Sequence, residues 1–180
     1  MRRWLAWVAC VALAAAACAQ ADRPGLAPLE TVPRVDLDRY LGTWYEIARY
    51  PHRFQAGCVA STARYARTSD GRIRVENECR EAAVDGPVRR ITGVAYVVRD
   101  DPSNAKLAVE FFWPFRGAYW IIELDPDYRY AVVGHPSRAY LWILSRRPTM
   151  DETLYQDLLG RVAAHGYDLS RIERTAQPAE

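Results

Sequence analysis

"YLGTWYEIARYPHRF", residues 40–54, sets Gly42 two residues before Trp44 and then runs into an alternating, strand-like stretch. A tryptophan entering a strand brings roughly 200 Å² of surface that has to be buried. Something later in the chain must therefore be shaped to receive it.

Downstream the period stays at two. "VASTARYA" and "RIRVENECR" flank the turn residues "RTSDG", so 59–80 reads as a hairpin. "RRITGVAYVVRD" gives the next strand, closed by "DDPSN". "KLAVEFFWPF" alternates with Leu107, Val109 and Phe111 on one face. "AYWIIELD" and "YRYAVVG" form a hairpin around Pro126 and Asp127, and "AYLWILSR" follows the turn "HPSR". The period then changes. In "MDETLYQDLLGRVAAHG", Leu154, Leu158, Val162 and His165 recur at helical spacing beside Leu159. Thr149 or Asp151 caps that helix and Gly166 ends it. A short last strand is expected over about 171–176. Consecutive strands joined by tight turns, with no helix between them, fit an up-and-down barrel or a sandwich. The pattern alone leaves both open.

Upstream, "MRRWLAWVACVALAAAACAQA" is two arginines, an apolar run and then small residues, which is the layout of a secretory signal peptide over 1–17. "AAAC" resembles a bacterial lipobox, whose cysteine, here Cys18, is acylated and becomes the new N-terminus. Ala19-Gln20-Ala21 offers an ordinary cleavage site as the alternative, giving a soluble periplasmic or secreted chain. Ala19 after the cysteine, rather than Asp, points by that resemblance to a lipid anchor in the outer membrane, facing the periplasm. Residues 18–34 are proline-rich and read as an extended tether. Without Arg2 and Arg3 the chain keeps 22 basic and 22 acidic residues, a balance that argues against a nucleic-acid partner. Cys10 leaves with the signal, so Cys58 and Cys79 form an even pair in an oxidising compartment, where a disulfide is the default.

The chain resembles the lipocalins, over about 35–172. Gly42-Thr43-Trp44 matches the family's Gly-x-Trp at the start of its first strand. "LDPDYRYAVVG", with Asp125 and a displaced Tyr128, stands at the family's second motif, and Arg146 in "YLWILSRRP" stands at its late arginine. The opening and the ending are most similar to the bacterial lipoprotein and apolipoprotein D-like branches. The resemblance implies an all-β fold: an eight-stranded antiparallel up-and-down barrel over 35–177, with one C-terminal α-helix, about 151–165, packed outside. It implies that Trp44 plugs the closed end, that Arg146 lies across its indole, and that Gly42 lets them approach. Gly42, Trp44 and Arg146 are then structural.

With Arg146 inward, strand parity turns Leu144 and Trp142 inward too. The same reading gives Leu107, Val109 and Phe111, and makes Ile73 and Val75 carry Asn77 with them. The resemblance places Tyr65 inward with Ala63 and Ser61. Glu46 and Ala48 share the parity of Trp44, and Tyr119 completes the lining. The resulting ligand set is Glu46, Tyr65, Val75, Asn77, Leu107, Val109, Phe111, Tyr119, Trp142 and Leu144. It is mostly apolar, with Glu46, Asn77 and Tyr65 to orient a head group. The family resemblance implies binding, storage or transport of a lysophospholipid or fatty acid for envelope maintenance, with no cofactor. In the apolipoprotein D-like branch the equivalent of Cys58 pairs with a C-terminal cysteine that is absent here. A four-residue loop, 67–70, sets Cys58 directly opposite Cys79 but turns Arg64, not Tyr65, to the face of Ile73. A bulge near Gly71 or at the strand ends reconciles the two.

Two other classes compete. No G-x-S-x-G, H-E-x-x-H, C-x-x-C or phosphate loop occurs, and His52, His135 and His165 are scattered, so neither an enzyme nor a metal site is expected. The best catalytic alternative is a thiol enzyme like the lipocalin-type prostaglandin synthase, using Cys58 with His52. The other is an envelope interaction module with a filled barrel, in which "FFWPFRGAYW" is an oligomer contact or a lip of the barrel mouth. Relatives of this kind allow a homodimer.

Overall fold

Each alternating run forms a strand, and the turn residues between them are short enough to make every neighbour antiparallel. The computed structural model describes residues 26–178; the signal segment 1–17, Cys10 and Cys18 lie outside the described residues. The strands are β1 (Gly42–Arg49), β2 (Cys58–Arg67), β3 (Ile73–Glu81), β4 (Val88–Val97), β5 (Lys106–Phe112), β6 (Phe115–Leu124), β7 (Tyr130–Gly134) and β8 (Leu141–Ser145). They pair in sequence order, and β1 pairs with both β8 and β2, which closes the barrel and excludes the sandwich. One end carries a short helix, α1 (Leu37–Tyr40), with the connections 68–72, 98–105 and 125–129. The opposite, open end carries the connections 50–57, 82–87, 113–114 and 135–140.

The longer helix, α2 (Glu152–Ala164), starts where the Asp151 carboxylate accepts the Leu154 N–H at 3.1 Å, and gives way to Gly166 at φ +83°. Tyr155, Leu158 and Val162 bury its apolar stripe on Ile47, Ile122, Val132 and Ile143, outside the barrel. Strands β7 and β8 are thus covered on both faces. "YAVVG" and "LWILS" accordingly carry almost no polar alternation.

Two bulges correct the parity reading. In β1, Glu46 faces Leu144 while Ala48 faces Ile143, so Ile47 and Ala48 both turn to the outer, helix-side cluster. Arg49, opposite Trp142, takes the inward place that was expected of Ala48. In β2 the register slips between Val59 and Thr62, at Ala60, whose φ is +48°. The β2–β3 connection is 68–72 rather than 67–70, Tyr65 faces Val75, and Cys58 stands opposite Glu81. The bulge, at the mouth end of the hairpin rather than near Gly71, brings Cys58 and Cys79 to a Cα separation of 5.5 Å, and they are bonded. Chain-entropy reasoning for that sequence separation of 21 gives the bond about 3 kcal/mol. The double variant Cys58→Ser/Cys79→Ser should lose about that much in urea unfolding, and native Cys58 should not react with iodoacetamide.

Pairing of β1 with β2 stops at Tyr45 and Thr62, and the chain's C-terminal segment fills the seam above. A 3-10 turn, Leu169–Arg171, leads into β9 (Glu173–Arg174), which pairs with Arg49 and Ala48. Ala60 N–H donates to the Ala176 carbonyl at 2.7 Å, and Gln177 Nε2 donates to the Glu46 and Ser61 carbonyls. The N-terminal segment runs down the outside in the opposite sense. It begins at the open end, where Arg138 donates to the Ala27 carbonyl at 2.7 Å. It reaches the closed end, where Val35 N–H donates to Ser103 and Asp36 N–H to the Tyr128 hydroxyl.

The barrel lumen as candidate binding site

The base of the lumen is built from aromatics. Trp44 is fully buried, its indole N–H donates to the Tyr40 carbonyl at 2.8 Å, and the Arg146 guanidinium lies 3.8 Å from its ring centre. Arg146 also donates to the carbonyls of Thr43, Arg39 and Tyr40, so it fastens α1 across the barrel's base. Gly42, at φ +96°, leaves room for this: a Cβ there would come within 3.2 Å of the guanidinium. Asp125 accepts from Arg129 and from the Asp127 N–H, and holds the neighbouring turn that presents Tyr128.

Directly above sit three tyrosines. The hydroxyls of Tyr40 and Tyr65 each lie 2.8 Å from that of Tyr119. Burial raises all three hydroxyl pKa values well above the ordinary one. The unfolded chain ionises these groups near pH 10, while the folded chain keeps its protons. Their stabilisation is therefore complete below about pH 10 and lost as pH rises above it, by about 1.4 kcal/mol per pH unit for each tyrosine. Urea unfolding between pH 9 and pH 11 should show this loss, and Tyr119→Phe should make the slope shallower.

Above the tyrosine floor the lining thins. Val75, Leu107, Val109 and Leu144 are buried, while Phe111, Tyr119 and Trp142 are partly exposed and pack against them. Gly93 faces Val75 across the ladder and Gly117 faces Val109, so both turn inward without a side chain. A Cβ on Gly93 would lie 2.7 Å from the Phe111 ring, which lies across that glycine. A Cβ on Gly117 would meet nothing nearer than the Val109 carbonyl at 4.0 Å, so the lumen opens there. Asn77 shares the inward face of Val75, and its buried Oδ1 has no hydrogen-bond partner.

The polar groups at the mouth are already engaged. Glu46 accepts from Arg49 at 2.7 Å, from Thr175 at 2.6 Å and from Gln55 at 2.8 Å. Gln55 Oε1 in turn accepts the Trp142 indole N–H at 3.0 Å. Glu46 and Tyr65 thus face inward with internal partners, and Asn77 alone of the three expected polar groups presents an unpartnered atom. Sequence reasoning missed Tyr40, Arg49, Gln55, Gly93 and Gly117. Parity with Tyr119 could have found Gly117, whereas Gln55 reaches in from a loop and left no signal.

The Cys58–Cys79 bond leaves no thiol for the prostaglandin-synthase-like reading. His52 packs 5.5 Å from both Tyr140 and Trp142, and burial lowers its pKa below the ordinary value.

A closed antiparallel barrel with a plugged base, an open lumen and one external helix defines a lipocalin. The lipocalin-like domain model matches residues 35–177, and the chain belongs to that family, whose members bind and carry small hydrophobic ligands. It is similar to the outer membrane lipoprotein Blc of Escherichia coli K12, 43% identical over 147 residues and 82% of each chain. It is 40% identical to temperature-induced lipocalin-1 of Arabidopsis thaliana over 157 residues and 83% of each. Among solved structures, insecticyanin of the tobacco hornworm Manduca sexta superposes with a TM-score of 0.68 at 20% identity, over 85% of this chain and 86% of that one.

Proposed function

We propose that the barrel holds one single-chain lipid, a lysophospholipid or a fatty acid, and stores or transports it for maintenance of the outer membrane. The observation that carries this is the upper lumen itself. Gly117, inward and without a side chain, leaves space beside Val109, and the unpartnered Asn77 Oδ1 supplies one polar contact in an apolar lining. An acyl chain fits the apolar faces, and a hydroxyl or protonated group on the ligand satisfies Asn77. Acylation of Cys18 would fix the carrier to the outer membrane on its periplasmic side, a placement supported by the likeness to Blc, an outer membrane lipoprotein. The test is a titration with lysophosphatidylcholine followed by tryptophan fluorescence, with native mass spectrometry to count ligands. One-to-one saturable binding, weakened by Trp142→Ala, is the expected result, and absence of binding at saturating lipid removes the reading.

A further inference from the structure

The exposed apolar side chains are distributed unevenly between the two ends of the barrel. Phe112, Trp113 and Phe115, at the β5–β6 tip, are 65%, 83% and 76% exposed, and Phe54, on the 50–57 connection, is 61% exposed. Val84 and Val88 add to the same open end. Among the described residues, the closed end shows only Val97 and Val98 of this kind. A cluster of exposed aromatics around an opening marks an interaction surface rather than chance exposure.

The course of the N-terminal segment says what that surface meets. Leu26 lies against Gly166, and Ala27 is held by Arg138 of the 135–140 connection, so the described chain begins at the open end. The eight residues 18–25 between Cys18 and that point span at most about 28 Å when fully extended. A lipid on Cys18 therefore holds the mouth, where the chain attaches, within that reach of the membrane. Presenting the closed end instead would stretch the tether back along nearly its full length, because the barrel is about 25 Å high for strands of this length and tilt. Aromatic side chains, tryptophan above all, favour the boundary between lipid head groups and acyl chains.

We propose that the open mouth docks on a lipid bilayer, with Trp113 and its neighbours Phe112 and Phe115 seated in the head-group region and Phe54 on the opposing lip. The lumen then opens onto the leaflet, and a single-chain lipid passes between membrane and barrel without crossing water. The inference rests on acylation of Cys18 for its orientation, and its docking surface is tested without the acyl chain.

The experiment uses the mature chain, residues 18–180, carrying Cys18→Ser, with vesicles of phosphatidylethanolamine and phosphatidylglycerol. Flotation with the vesicles is expected, together with tryptophan quenching by brominated phospholipid that Trp113→Phe removes. The triple variant Phe112→Ser/Trp113→Ser/Phe115→Ser should bind vesicles at least tenfold more weakly while keeping its lysophosphatidylcholine titration. Equal flotation of the triple variant overturns the proposal, as does quenching indifferent to Trp113→Phe. A chain that ignores vesicles but forms a dimer dissolved by the triple variant overturns it too, and assigns the aromatics to a second copy. Vesicle docking through Trp113 in a chain that binds no lysophospholipid leaves the docking surface intact and removes the ligand reading alone.

Discussion

Replacing Trp44 by alanine should destabilise the fold by about 3–5 kcal/mol, the range of other buried tryptophan deletions. The indole is fully buried, donates to the Tyr40 carbonyl, and lies between the Tyr40 ring at 4.8 Å and the Arg146 guanidinium at 3.8 Å. Its loss opens a cavity at the point where α1, β1 and β8 meet, and leaves a half-buried cation without its aromatic face. For a domain of this size the loss corresponds to a fall in Tm of roughly 10 °C. Trp113→Ala is the matching control, because an 83% exposed side chain has little burial to lose. A Tm unchanged in Trp44→Ala would contradict the plug.

Filling the lumen should abolish binding without unfolding the barrel. Gly117 faces inward opposite Val109, and a Cβ there has no heavy atom within 3.9 Å. An aromatic residue is favoured on a strand, and its Cβ meets no clash here. Gly117→Phe should therefore leave Tm nearly unchanged while raising the dissociation constant for lysophosphatidylcholine at least about tenfold, equivalent to about 1.4 kcal/mol. An unchanged affinity would place the ligand elsewhere.

The parts of this barrel that keep a strict period of two were readable from the sequence. Leu107 and Val109 on β5, Val75 and Asn77 on β3, and Trp142 and Leu144 on β8 all face where alternation puts them. The helix was readable from its cap and its spacing. Part of what escaped follows from two inserted residues. A bulge adds one residue to a strand without changing the mix of apolar and polar side chains, so no pattern announces it. The bulge in β1 exchanged Ala48 for Arg49 at the lumen. The one in β2 reconciled an inward Tyr65 with the Cys58–Cys79 bond. Tyr40 and Gln55 escaped for another reason: they enter the lumen from α1 and a loop, where strand parity has nothing to say.

Gly117 concentrates the whole functional reading in a small volume above the tyrosine floor, beside Val109. Its occupant can be located directly. Crystals grown with a terminally brominated fatty acid would show the halogen by anomalous scattering. Bromine inside the barrel, among Val109, Phe111, Gly117 and Trp142, is the result this account predicts. Bromine confined to the outer surface, with the lumen unoccupied at saturating ligand, would contradict it.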